Sequence, residues 1–182
     1  FLFFISLAGV LYNMKILPGR RRFQRLRDIP GSKNIFIASA WGMVTAVLPA
    51  LNLNQHFNAG MAVAFIFTFT LVFVRSAMSD IMDIQSDKLL GRETIPVVMG
   101  EEKTQFLLKI IVSILLVILL ISAPAGWSST LSIFLVLCLL YIWICFRLCD
   151  RRSGFSGALI EGLLETSYII AGFAVFCWFI LS

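Results

Sequence analysis

Long apolar runs, separated by short polar connections, limit what this chain can fold into more than any other feature. They lie at about Asn34–Leu53, Ala59–Ser79, Gln105–Ala123, Trp127–Leu148 and Ala158–Leu181, with a shorter run at Phe1–Asn13. Crossing a hydrocarbon core of about 30 Å takes about 20 residues of helix. Lipid offers no hydrogen-bond partner to the backbone, so each crossing must satisfy its own N–H and C=O groups. The chain therefore reads as all-α, a polytopic transmembrane helical bundle of six helices in one domain over residues 1–182. Pro49 is expected to kink or end its segment. The chain opens at Phe1 in mid-run, without an initiator Met or a basic leader. That start reads as a cut through an existing helix, and so as an N-terminally truncated domain.

The connections carry the orientation. Residues 14–33 hold Lys15, Arg20, Arg21, Arg22, Arg25, Arg27 and Lys33, whereas the next connection, NLNQHFN, holds no basic residue. The third holds Arg75, Lys88, Arg92, Lys103 and Lys109, the fourth, SAPAGWSS, none, and the fifth Arg147, Arg151 and Arg152. This alternation puts the first, third and fifth connections on the cytoplasmic side. The net charge of +5 is not a nucleic-acid signature, because the aromatic residues lie inside the apolar runs and not among the cations. The expected surroundings are membrane lipid, with no nucleic acid. Trp41, Trp127 and Tyr12 read as interfacial anchors. Cys138, Cys145, Cys149 and Cys177 form no C-x-x-C pair and His56 is the only histidine, so the cysteines read as small apolar fillers and not as zinc or iron–sulfur ligands.

Asp80, Asp83 and Asp87 stand where the Ala59–Ser79 run meets the third connection. Continued as a helix, this spacing puts them at about 0°, −60° and −20° around the axis, on one face and over roughly 10 Å. Carboxylates grouped beside a membrane repel one another, and a hard divalent cation such as Mg²⁺ relieves that repulsion and attracts phosphate. The basic residues nearby suit phosphate, and the apolar helices suit a hydrocarbon tail. A lipid joined to a diphosphate satisfies both demands. Ionising its carbon–oxygen bond needs charge stabilisation on the leaving group and a water-poor cavity for the cation. Lys88 and Arg92 are candidate diphosphate contacts by charge and proximity.

The string DIMDIQSDKLLGRETIPVVMG, residues 80–100, resembles the second aspartate-rich motif of the UbiA superfamily of intramembrane prenyltransferases. That motif is D-x-x-D-x-x-x-D, then Gly, then Thr-x-Pro and a further Gly. Leu11-Tyr12 before a basic loop, IPGSK at 29–33, and Trp41 are similar more loosely, and the resemblance covers essentially the whole chain. It implies that the six helices correspond to helices 4–9 of a nine-helix prenyltransferase. It implies an enzyme that moves a prenyl group from a polyprenyl diphosphate to a small-molecule acceptor, with Mg²⁺ as cofactor. Asp80, Asp83 and Asp87 would be the catalytic and metal-binding residues, and Tyr12 and Lys15 would lie near the diphosphate. An aromatic quinone precursor is the default acceptor by its frequency in the family, with glycerol-phosphate lipids and tetrapyrroles as alternatives. The family's first motif, N-D-x-x-D-x-x-x-D, has no counterpart here, so the chain by itself is expected to be an inactive fragment.

Two rival readings remain at this level. One is an ion-coupled transporter or lipid carrier using Glu161 and Glu165, although no internal repeat supports it. The other is an inactive regulatory relative that keeps a diphosphate pocket. Glu161 and Glu165 lie four apart, on one helical face. Pairing with Arg147 or Arg151 stands level with a role toward an acceptor hydroxyl or a proton path. Ala158, Gly162 and Thr166 form a stripe suited to close helix packing.

Overall fold

In a computed structural model, the described residues are 9, 10, 12, 14, 29–52, 56–128, 130–150 and 157–181. Among them there are helices and connections and no strand. Five helices are long and apolar enough to cross a membrane. They are α1 (Ser32–Asn52), α2 (Ala59–Met82), α5 (Glu101–Ser122), α6 (Leu131–Asp150) and α7 (Gly157–Leu181). Two short helices, α3 (Ile84–Leu89) and α4 (Ile95–Met99), lie between α2 and α5. The polytopic helical bundle expected from the apolar runs is what the chain forms. The run at 1–13 falls almost wholly outside the described residues.

Local signals account for where the helices start. Asn58 precedes α2, and its Oδ1 accepts from the Met61 N–H at 2.8 Å, answering one of the free donors of the first turn. Gly100, at φ 87, turns the chain into α5, whose first turn carries Glu101 and Glu102 against the positive end of the helix dipole. The helix therefore begins ahead of the apolar run that starts at Gln105.

Pro49 neither ends α1 nor simply bends it. It follows a single π turn, Met43–Val47, in which Leu48 N–H bonds Met43 O, and the helix then continues to Asn52. Proline has no N–H to give to the carbonyl four residues earlier, and widening the preceding turn accommodates that loss. The Thr45 hydroxyl, inside the wide turn, bonds Trp41 O at 2.8 Å.

Helix α2 is the centre of the bundle. α1 and α5 pack on it, α6 packs on α5, and α7 packs on α6 and touches α2 along part of its length. The buried positions of α5 include Leu108, Val112, Leu115 and Leu119, a single stripe with coiled-coil spacing. Cys138, Leu139, Ile142, Cys145 and Phe146 form the matching stripe of α6. Ile110, Ile114, Val117 and Leu120 on α5, and Ile133, Leu137 and Ile144 on α6, point outward, where a soluble helix would be polar. The α6–α7 seam carries polar ties as well. Tyr141 Oη donates to Leu163 O at 2.8 Å, and Trp178 Nε1 donates to Thr130 Oγ1 at 3.0 Å.

The helix expected to run unbroken through the three aspartates is interrupted. α2 ends at Met82, and Asp83 adopts φ −90, ψ 8 before α3 begins. Bonds from Asp83 N to Ser79 O and from Asp87 N to Asp83 O carry the helical ladder across the break. The phase of Asp80 and Asp87 survives and both are buried, whereas Asp83 is exposed. The local turn swings outward the aspartate that the ideal helix already set furthest round the axis.

Candidate active site

Asp80 sits in the last turn of α2 and is 4% exposed. A buried carboxylate is tolerated when its oxygens are bonded and its charge is paired. Here Asn34 Nδ2 donates to Oδ2 at 2.8 Å, and Lys33 Nζ donates to Oδ1 at 3.2 Å. Asn34 is itself fully buried, and its Oδ1 accepts from the Ser76 hydroxyl at 3.0 Å. The first turn of α1 thereby clamps the carboxylate from one side while Ser76, one turn earlier on α2, fixes which way the clamp faces.

A cavity of about 580 Å³ opens at this point, walled by Tyr12, Lys33, Asn34, Asp80, Arg92 and Thr94, among others. Tyr12 stacks on Phe36 with ring centroids 4.7 Å apart, and its hydroxyl lies 3.4 Å from Ser32 Oγ. Arg92 lies 3.7 Å from Asp87 Oδ1 through its Nη1, and its backbone N–H bonds Asp87 O at 2.9 Å. Asp87, 5% exposed, therefore holds a wall residue of the cavity without lining it. Thr94 Oγ1 is buried and has no hydrogen-bond partner among the described residues. An orphaned buried hydroxyl in the wall of a polar cavity suits a ligand that carries acceptor oxygens.

Of the residues singled out in the sequence, the fold brings Tyr12, Asp80 and Arg92 to one cavity and sets Asp87 behind Arg92. Asp83 and Lys88 are exposed and do not line it. Lys15 lies outside the described residues. Sequence reasoning missed Asn34, whose only signal was an amide at the head of an apolar run. It also counted Lys33 with the loop cations, although Lys33 pairs with Asp80.

A second cavity, of about 710 Å³, lies between α1, α2 and α7, and Lys33 lines both. Ile37, Phe67, Leu71 and Val72 make much of its wall apolar, while Ser76, Ser79, Arg75, Glu165 and Tyr168 supply polar groups. Trp41 stands in this wall, midway along α1. Arg75 Nη2 donates to Glu165 and lies 3.8 Å from Glu161. Among the described residues the partner of the two glutamates is thus Arg75 of α2 and not Arg147, and Arg151 lies outside the described residues. Arg147 is nearer in sequence, but the bundle brings α2 beside α7.

Among the described residues no three acidic, Cys or His side chains converge on one metal position. The donors do suit Mg²⁺ in another mode. Mg²⁺ usually takes one or two carboxylates and completes its shell with water and substrate phosphate. Asp80 in the cavity wall and Asp87 behind Arg92 offer hard oxygen ligands singly and not as a closed cage.

No match was found among curated proteins or among solved structures. A sequence profile of the UbiA prenyltransferase family matches residues 1–160, a stretch that holds both α1 and the whole of the segment from Asp80 to Gly100. With its membrane-spanning bundle and its aspartates gathered at one end of α2, the chain belongs to the UbiA prenyltransferase family.

Proposed function

We propose that this protein transfers a prenyl group from a polyprenyl diphosphate to a small-molecule acceptor in a Mg²⁺-dependent reaction. The observation that carries the reading is the juxtaposition of two cavities sharing Lys33. One is polar, with a clamped carboxylate, cations and an unpartnered hydroxyl. The other is largely apolar. Together they match a molecule that is diphosphate at one end and hydrocarbon at the other. Lys33, Arg92 and the Thr94 hydroxyl would bind the diphosphate, with Tyr12 closing the cavity and Lys15 and Lys88 contributing positive charge around it. Asp80 and Asp87 would hold the metal, with Asp83 at the solvent rim, and bound Mg²⁺ supplies positive charge to the departing diphosphate.

In the reaction the C1–O bond breaks, and both its electrons leave with the diphosphate oxygen. C1 then bonds to the nucleophilic atom of the acceptor, which gives up a proton. Lys33 and Arg92 stabilise the charge that grows on the leaving group. The apolar cavity keeps water from the allylic cation. The alternation of basic connections supports a cytoplasmic active-site face. We read the six expected helices as helices 4–9 of a nine-helix bundle, with an aromatic quinone precursor as the default acceptor.

The test is transfer from a radiolabelled prenyl diphosphate in membranes containing the full-length protein. Asp80→Asn and Asp87→Asn should each lower Mg²⁺-dependent transfer by about a hundredfold or more, the scale seen when a group that stabilises developing charge is removed. Membrane insertion should be unchanged. Activity within a few-fold of wild type in both variants would overturn the reading.

A further inference from the structure

The two oxygens of Asp80 are held in unlike ways. Oδ2 takes a 2.8 Å bond from Asn34 Nδ2, and Asn34 is fully buried and braced by the Ser76 hydroxyl. An amide enclosed in this way is a fixture of the α1–α2 seam. Oδ1 takes a 3.2 Å bond from Lys33 Nζ, which is long beside the about 2.7–2.9 Å of a tight charge-assisted bond. The Lys33 side chain is 58% exposed, whereas that of Asp80 is 6% exposed. The ammonium rides on a flexible stem that lines both cavities, so it can leave Oδ1 without unpacking a helix.

Charge explains why the ammonium is there. A carboxylate as buried as Asp80 needs a counter-ion. Among the described residues, the charged side chains lining the smaller cavity are Lys33, Arg92, Asp80 and Glu93, two cations and two carboxylates. The wall is balanced as it stands. Behind it, Arg92 and Asp87 repeat the pattern of Lys33 and Asp80, with an exposed guanidinium 3.7 Å from a buried carboxylate. A divalent cation arriving at Asp80 can gain Oδ1, because the partner of that oxygen can move and Asn34 cannot. Once displaced, the ammonium finds no open carboxylate in the larger cavity, where Glu165 is already bonded by Arg75.

From this arrangement we infer that Lys33 is the resting counter-ion of Asp80: it competes with the divalent metal for Oδ1, and the diphosphate takes over the ammonium that the metal displaces. The inference rests on the prenyltransferase reading and says how the two charged ligands of that site enter it. Metal alone would strip the ammonium of its counter-ion. Diphosphate alone would meet cations already committed to carboxylates. Arriving together, the two exchange partners with the ion pairs, so each favours the other and the site resists metal by itself. Lys33 is thus a positioning residue for the metal as well as a contact for the diphosphate.

The experiment uses the detergent-solubilised full-length protein without donor. Mn²⁺ stands in for Mg²⁺, and bound metal is read from the loss of the free Mn²⁺ EPR signal. Lys33→Met should tighten Mn²⁺ binding by about five- to tenfold, the equivalent of one half-exposed ion pair that no longer has to be broken. A lysine that merely held the fold together would give the opposite sign, because its loss would loosen the site. Lys33→Arg, which keeps the pair, should not tighten binding. Lys103→Met removes the same charge from an exposed position outside both cavities, and should leave binding within about twofold of wild type. Unchanged or weaker binding in Lys33→Met overturns the inference, as does an equal gain in Lys103→Met. A second measurement needs no variant, and so covers a Lys33→Met that folds poorly. Acylation of Lys33 by an N-hydroxysuccinimide ester, followed by mass spectrometry, should quicken when Mg²⁺ is added. It should slow again when inorganic pyrophosphate follows with Mg²⁺ kept in excess. Labelling that Mg²⁺ does not quicken, or that pyrophosphate does not slow, overturns the inference as well. Prenyl transfer is assayed separately in the same preparation, so failure of the metal competition and failure of the prenyltransferase reading are told apart.

Discussion

A buried carboxylate needs each oxygen answered, and Asn34 answers one of Asp80's while Ser76 holds the amide in place. Asn34→Leu keeps much of the volume and removes both bonds. It should destabilise the bundle by about 1–3 kcal/mol, the cost of a buried polar group left without its partner. The detergent-extracted protein should show this as a lowered Tm, and Ser76→Ala, which removes only the outer bond, should lower it less. An Asn34→Leu Tm equal to wild type would mean that Lys33 alone satisfies Asp80. At this scale the sequence was legible in part. Helical phase puts Asp80 and Asp87 on one face and Asp83 furthest round, which is how burial divides them. Asn34 could not be read that way, because an amide at the start of an apolar run resembles a loop residue until α1 packs on α2. The partner of Glu165 was equally hidden. Sequence proximity favoured Arg147 and Arg151, and the contact is made by a residue 90 positions away.

Between elements, the tightest approach near the cavity is that of Gly31 to Ile95. Gly31 precedes α1 at φ 77, and a Cβ there would lie 2.7 Å from the Ile95 side chain. Gly31→Ala should therefore cost about 1–2 kcal/mol from the left-handed backbone alone. It should also push α4 away from the first turn of α1, so donor binding should weaken along with stability. Pairing it with Ile95→Ala relieves the clash and not the backbone cost, so donor binding should recover more than the Tm does. Equal recovery of both, or none, would contradict this division. At this scale the apolar runs announced the long helices, because membrane crossing demands length and lipid demands internal hydrogen bonds. They did not announce the π turn before Pro49, since a missing N–H can be absorbed by a kink, a stop or a widened turn, and packing selects among them. Gly42 shows that selection. A Cβ there would meet the Phe65 ring at 2.8 Å, so α1 and α2 are in close contact just ahead of the wide turn.

For the molecule as a whole, the cations confined to alternate connections predict which ends of the helices share a side of the membrane. A cysteine at Lys88 and one at His56 should be labelled from opposite faces by an impermeant maleimide. Cys138, Cys145 and Cys149 are buried and should contribute little background, with Cys177 replaced. Labelling of both positions from one face would contradict the topology. The long apolar helices were open to sequence reasoning because a bilayer responds to length and hydropathy, which are sums over residues. The cavities were not, because they exist only between helices distant in sequence. Arg75 and Asp80, by contrast, are two rungs of a single rod. Their spacing is a matter of helical pitch and owes nothing to how firmly the neighbours grip. If the surrounding helices tilt with bilayer thickness or loosen in detergent, the charged groups that the two cavities take from α2 still stay in step. Slackening the assembly should then widen both cavities before it alters their spacing.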